Sequence, residues 1–93
     1  MQTLFVTRRT EQDELGTPRS FDYFVLVDEV NAGDTFCCES YGVRIAEADD
    51  TGHEAASVRH ITTNMQRIDE LMELLVRQFV TPATLQDVVA DWL

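Results

Sequence analysis

Asp87 and Asp91 stand four residues apart, a spacing that puts two carboxylates on one side of a helix. Such a pair can hold a cation or meet a basic partner. The plainer reading is a polar face in water, or an aspartate bonded to a nearby backbone amide. Neither carboxylate is a general base without a nucleophile or electrophile beside it. His60 could serve acid–base chemistry, because imidazole is the side chain that changes charge near neutral pH, although a hydrogen-bonded histidine at a strand end is the simpler expectation. Ser57 has no nucleophile-elbow context, and neither H-E-x-x-H nor an EF-hand loop occurs. Cys37 and Cys38 are adjacent, so in a strand they point to opposite faces and are poorly placed to share a metal or bond each other. With His53 and His60 they make a nominal Cys2His2 set that lacks any C-x2-4-C element. We therefore expect no catalytic residue, no cofactor and no metal ligand.

The 93 residues suffice for a single domain, 1–93, in which 44% of residues are hydrophobic. Seventeen carboxylates face seven arginines with no lysine, a formal net charge of -10. The missing lysine excludes Schiff-base chemistry and a P-loop. The acidity disfavours nucleic acid, whose phosphates need basic surface, and anionic membranes for the same reason. A solvated, solubilising surface explains it most simply, and mimicry of nucleic acid is the sharper alternative. The longest apolar run, Tyr23-Phe24-Val25-Leu26-Val27, is far short of the roughly 20 residues that span a bilayer. "MQTLFVTRRTEQDE" has no basic-then-apolar signal pattern, and a cytoplasmic protein is expected.

Residues 3–9 alternate as a strand, with Leu4 and Val6 on one face and Phe5 on the other. Residues 10–20 carry the Gly, Pro and charges of an exposed connection. The segment 21–30 is β-branched, aromatic and apolar on both faces, the pattern of a central strand. After a turn at 31–34, the strand 35–48 changes parity between Phe36–Cys38 and Tyr41–Val43–Ile45. Either a bulge at 40–42 realigns the two sets or both faces are apolar. A turn at 49–52 leads to a weaker edge strand, 53–61. The period then becomes helical. Thr63 and Gln66 form a capping box for a helix over 64–80, whose apolar arc covers roughly 200°. Thr81 and Pro82 open a second helix, 82–93, with Leu85, Val88, Val89 and Trp92 on one face. Strands followed by helices imply an α+β fold: an antiparallel meander of about four strands with two C-terminal helices packed on one face.

From "YGVRIAEAD" through the closing "TLQDVVADWL", residues 41–93 resemble a family of small bacterial proteins of unknown function, best represented among Gram-positive anaerobes. The shared features are a Tyr-Gly strand, an Ile-Ser/Thr-Thr helix cap, a Val/Ile-Glu/Asp-x-Leu helix and a closing His/Thr-Leu-x-Asp-Val-Val-x-Asp-Phe/Trp-Leu. Val76-Arg77 departs from the Cys-Asn frequent in those proteins. The resemblance implies a cytoplasmic domain and brings no catalytic residue with it.

The excess of apolar surface on the second strand and first helix points to a protein-interaction or regulatory module that self-associates, as a dimer or with another protein. The residues expected to matter are Leu85, Val88, Val89, Trp92, Asp87, Asp91, Tyr41 and His60. A small-molecule or enzymatic pocket between sheet and helices is the alternative, with Tyr23, Tyr41, His60 and Arg44 as its first candidates.

Overall fold

A computed structural model describes residues 2–31, 37–48 and 54–93 (backbone alone at 30, 31, 37 and 38). Four strands come first: β1 (Gln2–Gln12), β2 (Pro18–Asn31), β3 (Cys37–Glu47) and β4 (Ala55–Thr62). Two helices follow, α1 (Met65–Arg77) and α2 (Leu85–Trp92). The sheet is an antiparallel meander in the order β1-β2-β3-β4, so the fold is α+β as its periodicity implies. The turns expected at 31–34 and 49–52 fall almost wholly outside the described residues, as do Phe36, His53 and the side chains of Cys37 and Cys38.

The first hairpin is longer than residues 10–20 suggest. Thr10 pairs with Ser20, Glu11 with Arg19 and Gln12 with Pro18, which leaves 13–17 as the connection. Asp13 makes this turn, its Oδ1 accepting from the amides of Leu15 and Thr17, both at 2.9 Å. Gly16 supplies the left-handed step at φ 78°. Polar residues extend the ladder because this end faces water, and Pro18 sits where a strand tolerates it, at the first position.

The inner face of the sheet is the core. Phe21, Tyr23 and Val25 from β2, with Val43 and Ile45 from β3, meet Ile68, Leu71 and Leu75 of α1. Strand β3 is not bulged against β2, because their register runs unbroken from Asn31↔Cys37 to Phe21↔Glu47. The irregularity lies on the other side, where Tyr41↔Thr62 is followed by Val43↔Val58. Residues 59–61 therefore arch past a single residue, Gly42. A Cβ there would lie 2.4 Å from the Val58 carbonyl oxygen and 2.8 Å from the Arg59 Cα, both backbone atoms. Glycine is required by space.

Helix α1 starts one residue later than a Thr63 cap would place it. Asn64 Oδ1 accepts from the amides of Gln66 (2.9 Å) and Arg67 (3.2 Å), while Thr62 Oγ1 accepts from the Asn64 amide. The helix also ends earlier than residue 80. Phe79 adopts φ 50°, the Val80 amide bonds the Leu75 carbonyl and the Phe79 amide bonds that of Val76. This is a Schellman stop with phenylalanine where glycine is usual. Residues 81–84 then form a turn closed by the Thr84 amide on the Thr81 carbonyl. Pro82 is buried in that turn, and α2 begins at Leu85 with no side-chain cap.

Helix α2 docks on its own chain beside β4, through the buried Leu85 and Val89. Trp92 is only half-buried, with the Arg67 guanidinium 4.3 Å over its ring. Its contribution is correspondingly smaller than full aromatic burial would give. In urea denaturation, Leu85→Ala should cost about 3 kcal/mol and Trp92→Ala roughly half as much. The reverse order would contradict this packing. Gly42→Ala should cost about 2–3 kcal/mol by overpacking against fixed backbone. A wild-type midpoint for that variant would mean the arch does not lie against residue 42.

Candidate functional site

The helix layer is narrower than the sheet. Helices α1 and α2 pack over β2, β3 and β4, and Leu4 and Val6 on the inner face of β1 are left largely exposed. A trough results, floored by Leu4 and Val6 of β1 with Val25 and Val27 of β2. Its wall is α1, which presents Met65 and Ile68 at one end and Met72 and Val76 at the other. Two adjoining hollows of about 420 and 380 Å³ share Val6, Val25 and Asp69. Leu4, Val6 and Met65 are 42%, 44% and 59% exposed, so the trough lies open along its length. A small-molecule site of this volume normally encloses most of its ligand, and this one does not.

A bulge shapes the floor. Phe5 pairs with Phe24 and Thr7 with Tyr23, so Val6 is an extra residue between them. Leu4 and Val6 both line the trough, whereas Phe5 lies edge-on to Phe24, ring centroids 5.7 Å apart. One end of the trough is closed by Arg9, which donates from Nη1 to the carbonyls of Val76 (2.6 Å) and Arg77 (3.2 Å). Its positive charge complements the negative end of the α1 dipole.

The rim is acidic. Asp69 and Glu73 stand on α1 above the floor and form no ion pair among the described residues. Among the described residues every arginine except Arg77 bonds a side chain or carbonyl: Arg9 to the two α1 carbonyls, Arg8 to Asp22, Arg19 to Glu47 and Glu54, Arg44 to Ser57, Arg59 to Asp28, Arg67 to Glu70. Arg77 lies at the far end of the trough. At the near end, burial raises the Tyr41 phenol above its ordinary value, and the neighbouring Glu39 carboxylate adds to that.

The residues expected to matter are dispersed. Leu85 and Val89 are core, Val88 and Trp92 are half-buried, and Asp87 and Asp91 are exposed. Asp87 sits in the first turn of α2, where a carboxylate favours the helix dipole. Tyr41 lies at the trough, but His60 is exposed on a different part of the fold, and Arg44 bonds Ser57 at 3.0 Å. Tyr23 is fully buried and donates to the Val80 carbonyl at 2.8 Å, its phenol pushed up to about 12 by burial. Tyr23, Tyr41, His60 and Arg44 therefore do not converge on one pocket. Sequence reasoning missed Arg9, Asp28 and Arg59. It also missed the trough itself, whose one visible signal was the wide apolar arc of α1.

On the outer face, the arch at 59–61 carries the second left-handed non-glycine residue, His60 at φ 58°. Histidine tolerates this conformation better than most residues. Arg59 grips the buried Asp28 carboxylate through two bonds, Nη2–Oδ1 at 2.6 Å and Nε–Oδ2 at 3.0 Å. His60 Nε2 stands 3.9 Å from the same carboxylate. The hydrogen bond from Arg59 holds the Asp28 carboxyl below its ordinary range, burial opposing it and the nearby positive charges assisting. An aspartate in the unfolded chain titrates near about 3.9. With the folded value below that, the pair's stabilisation is fully present above about pH 4 and is lost as pH falls through the folded value. Acid titrations followed by circular dichroism should show a shallower loss of stability below about pH 4 in Asp28→Asn than in the wild type. Superimposable profiles would remove Asp28 as a source of the acid response.

No helix among the described residues is long and apolar enough to cross a membrane. Among the same residues, no three His, Cys, Asp or Glu side chains gather where they could hold a metal ion. No curated protein and no solved structure matches the chain. All of it, residues 1–93, matches the family of unknown function DUF6514, and the chain belongs to that family.

Proposed function

We propose that this protein is a small interaction module that self-associates through the open edge of β1. The observation that carries the reading is the stretch Gln2–Phe5, an unpaired edge with exposed apolar residues on both of its faces. Leu4 projects into the trough, and Phe5, 60% exposed, lies on the opposite side. Natural edge strands are usually guarded by charge, proline or a bulge. Here the bulge at Val6 and the charges of Arg8 and Arg9 guard the distal half, and within Gln2–Phe5 itself there is no charged side chain, proline or bulge. Two copies of one strand pair antiparallel about a two-fold axis without further design, because the surface is self-complementary. The pairing satisfies the free backbone groups and buries both phenylalanines.

Two molecules of formal charge -10 repel each other, so screening should promote the dimer. Light scattering at about 100 μM should report more dimer at about 0.3 M salt than at about 0.02 M. Phe5→Lys, a charge placed on the edge, should give a monomer with unchanged melting behaviour. A wild-type chain that remains monomeric at both salt concentrations sinks the proposal.

A further inference from the structure

We infer that the trough between β1 and α1 is a berth for a basic amphipathic helix from a different protein. Two packed layers normally cover each other, and here the helical layer lacks a member over β1 and the adjacent strip of β2. The vacancy has apolar residues on its floor, Leu4, Val6 and Val25, and on its α1 wall, Met65 and Met72. A neighbouring helix alongside α1 would sit about 8–10 Å from its axis. Such a helix lays an apolar stripe into a groove, and methionines let the groove adapt to different side chains.

Charge identifies the occupant. Asp69 and Glu73 line the rim without an ion-pair partner among the described residues, and Arg77 is confined to one end. A helix carrying lysine or arginine beside its apolar stripe would meet both carboxylates. The protein's own helices would not. The exposed side of α1 carries Asp69, Glu70 and Glu73 against Arg67 and Arg77, Arg67 being paired with Glu70, and that of α2 carries Asp87 and Asp91 with no basic residue, so a second copy would set mainly acid against acid. This separates the berth from the uncharged β1 edge proposed for self-association, and the two can fail independently.

The test uses the full chain bearing Phe5→Lys, so that self-association does not intervene. Two fluorescein-labelled 18-residue helical peptides share one leucine stripe, one flanked by lysines and the other by glutamates at the same positions. Fluorescence anisotropy should give the lysine peptide at least about tenfold tighter binding, weakening as salt rises. Methyl NMR should place the shift changes at Leu4, Val6, Val25, Met65 and Met72. Val6→Glu should abolish binding while keeping the thermal transition. The double variant Asp69→Lys, Glu73→Lys, at exposed positions, should reverse the preference toward the glutamate peptide. Equal binding of both peptides, binding of neither, or shifts confined to the outer face would overturn the inference. So would concentration-dependent trough shifts without peptide, because they would seat a second copy there.

Discussion

The carbonyl end of α1 is where sheet and helices are locked together. Phe79 takes a left-handed conformation that costs a non-glycine residue on the order of 1 kcal/mol. Three side chains hold it there. The Phe79 ring packs edge-on against Phe21, centroids 5.5 Å apart, and the Arg9 guanidinium covers it at 5.6 Å. Arg9 also caps the Val76 carbonyl, and the Tyr23 hydroxyl takes that of Val80. The sheet thus supplies the groups that stop the helix. Stopping it at Arg77 sends residues 81–84 toward β4, where α2 packs. Had α1 continued to Val80, α2 would begin elsewhere. The bare trough over β1 is a consequence of this corner.

A second departure from regular backbone obeys the same logic. His60, like Phe79, has positive φ, and both lie where the chain leaves a regular ladder. Each is next to a structure secured by an arginine: Arg9 at the helix end, Arg59 on Asp28. Gly42 makes the second site possible by presenting no side chain to the arch. The two anchors lie on opposite faces of one sheet and serve one end, which is to fix a strained loop against β2. Tyr23 and Asp28 belong to that same strand, so β2 is the scaffold for both. A central strand apolar on both faces suits this role, since it can be contacted from either side.

Much of this was legible as period. Alternation in 3–9 and 21–30 and the 3.6-residue repeat after 63 specify the meander and the two helices, because burial enforces both periods. The element ends were less legible. A Phe-Val pair reads as continuing an apolar stripe, and only the tertiary contacts of Arg9, Phe21 and Tyr23 make Phe79 a stop. The parity change in β3 was visible, but its side was not. A glycine in a strand marks a close approach without naming the approaching chain. The wide arc of α1 indicated surplus apolar surface, while its location depends on the path of α2, which no local pattern encodes. Trp92 read as a buried anchor because periodicity places a residue on a face without saying how deeply that face is covered.

The charge distribution follows from where the arginines are spent. With no lysine, the seven arginines are the only strong cations among the side chains, and among the described residues all but Arg77 are engaged in holding strands, helix ends or loops. The acidic surplus is therefore left on exposed positions, including the rim of the trough and the outer side of α2. Contiguous apolar surface on a small protein invites indiscriminate association. A net charge of -10 counters that by repulsion between copies, which salt screens, and it does so without filling the trough. In the binding proposed above, the same carboxylates that discourage indiscriminate contact also select the helix that approaches the strip. Repulsion between copies and attraction of a basic helix then have one physical source, the surplus of carboxylates over arginines.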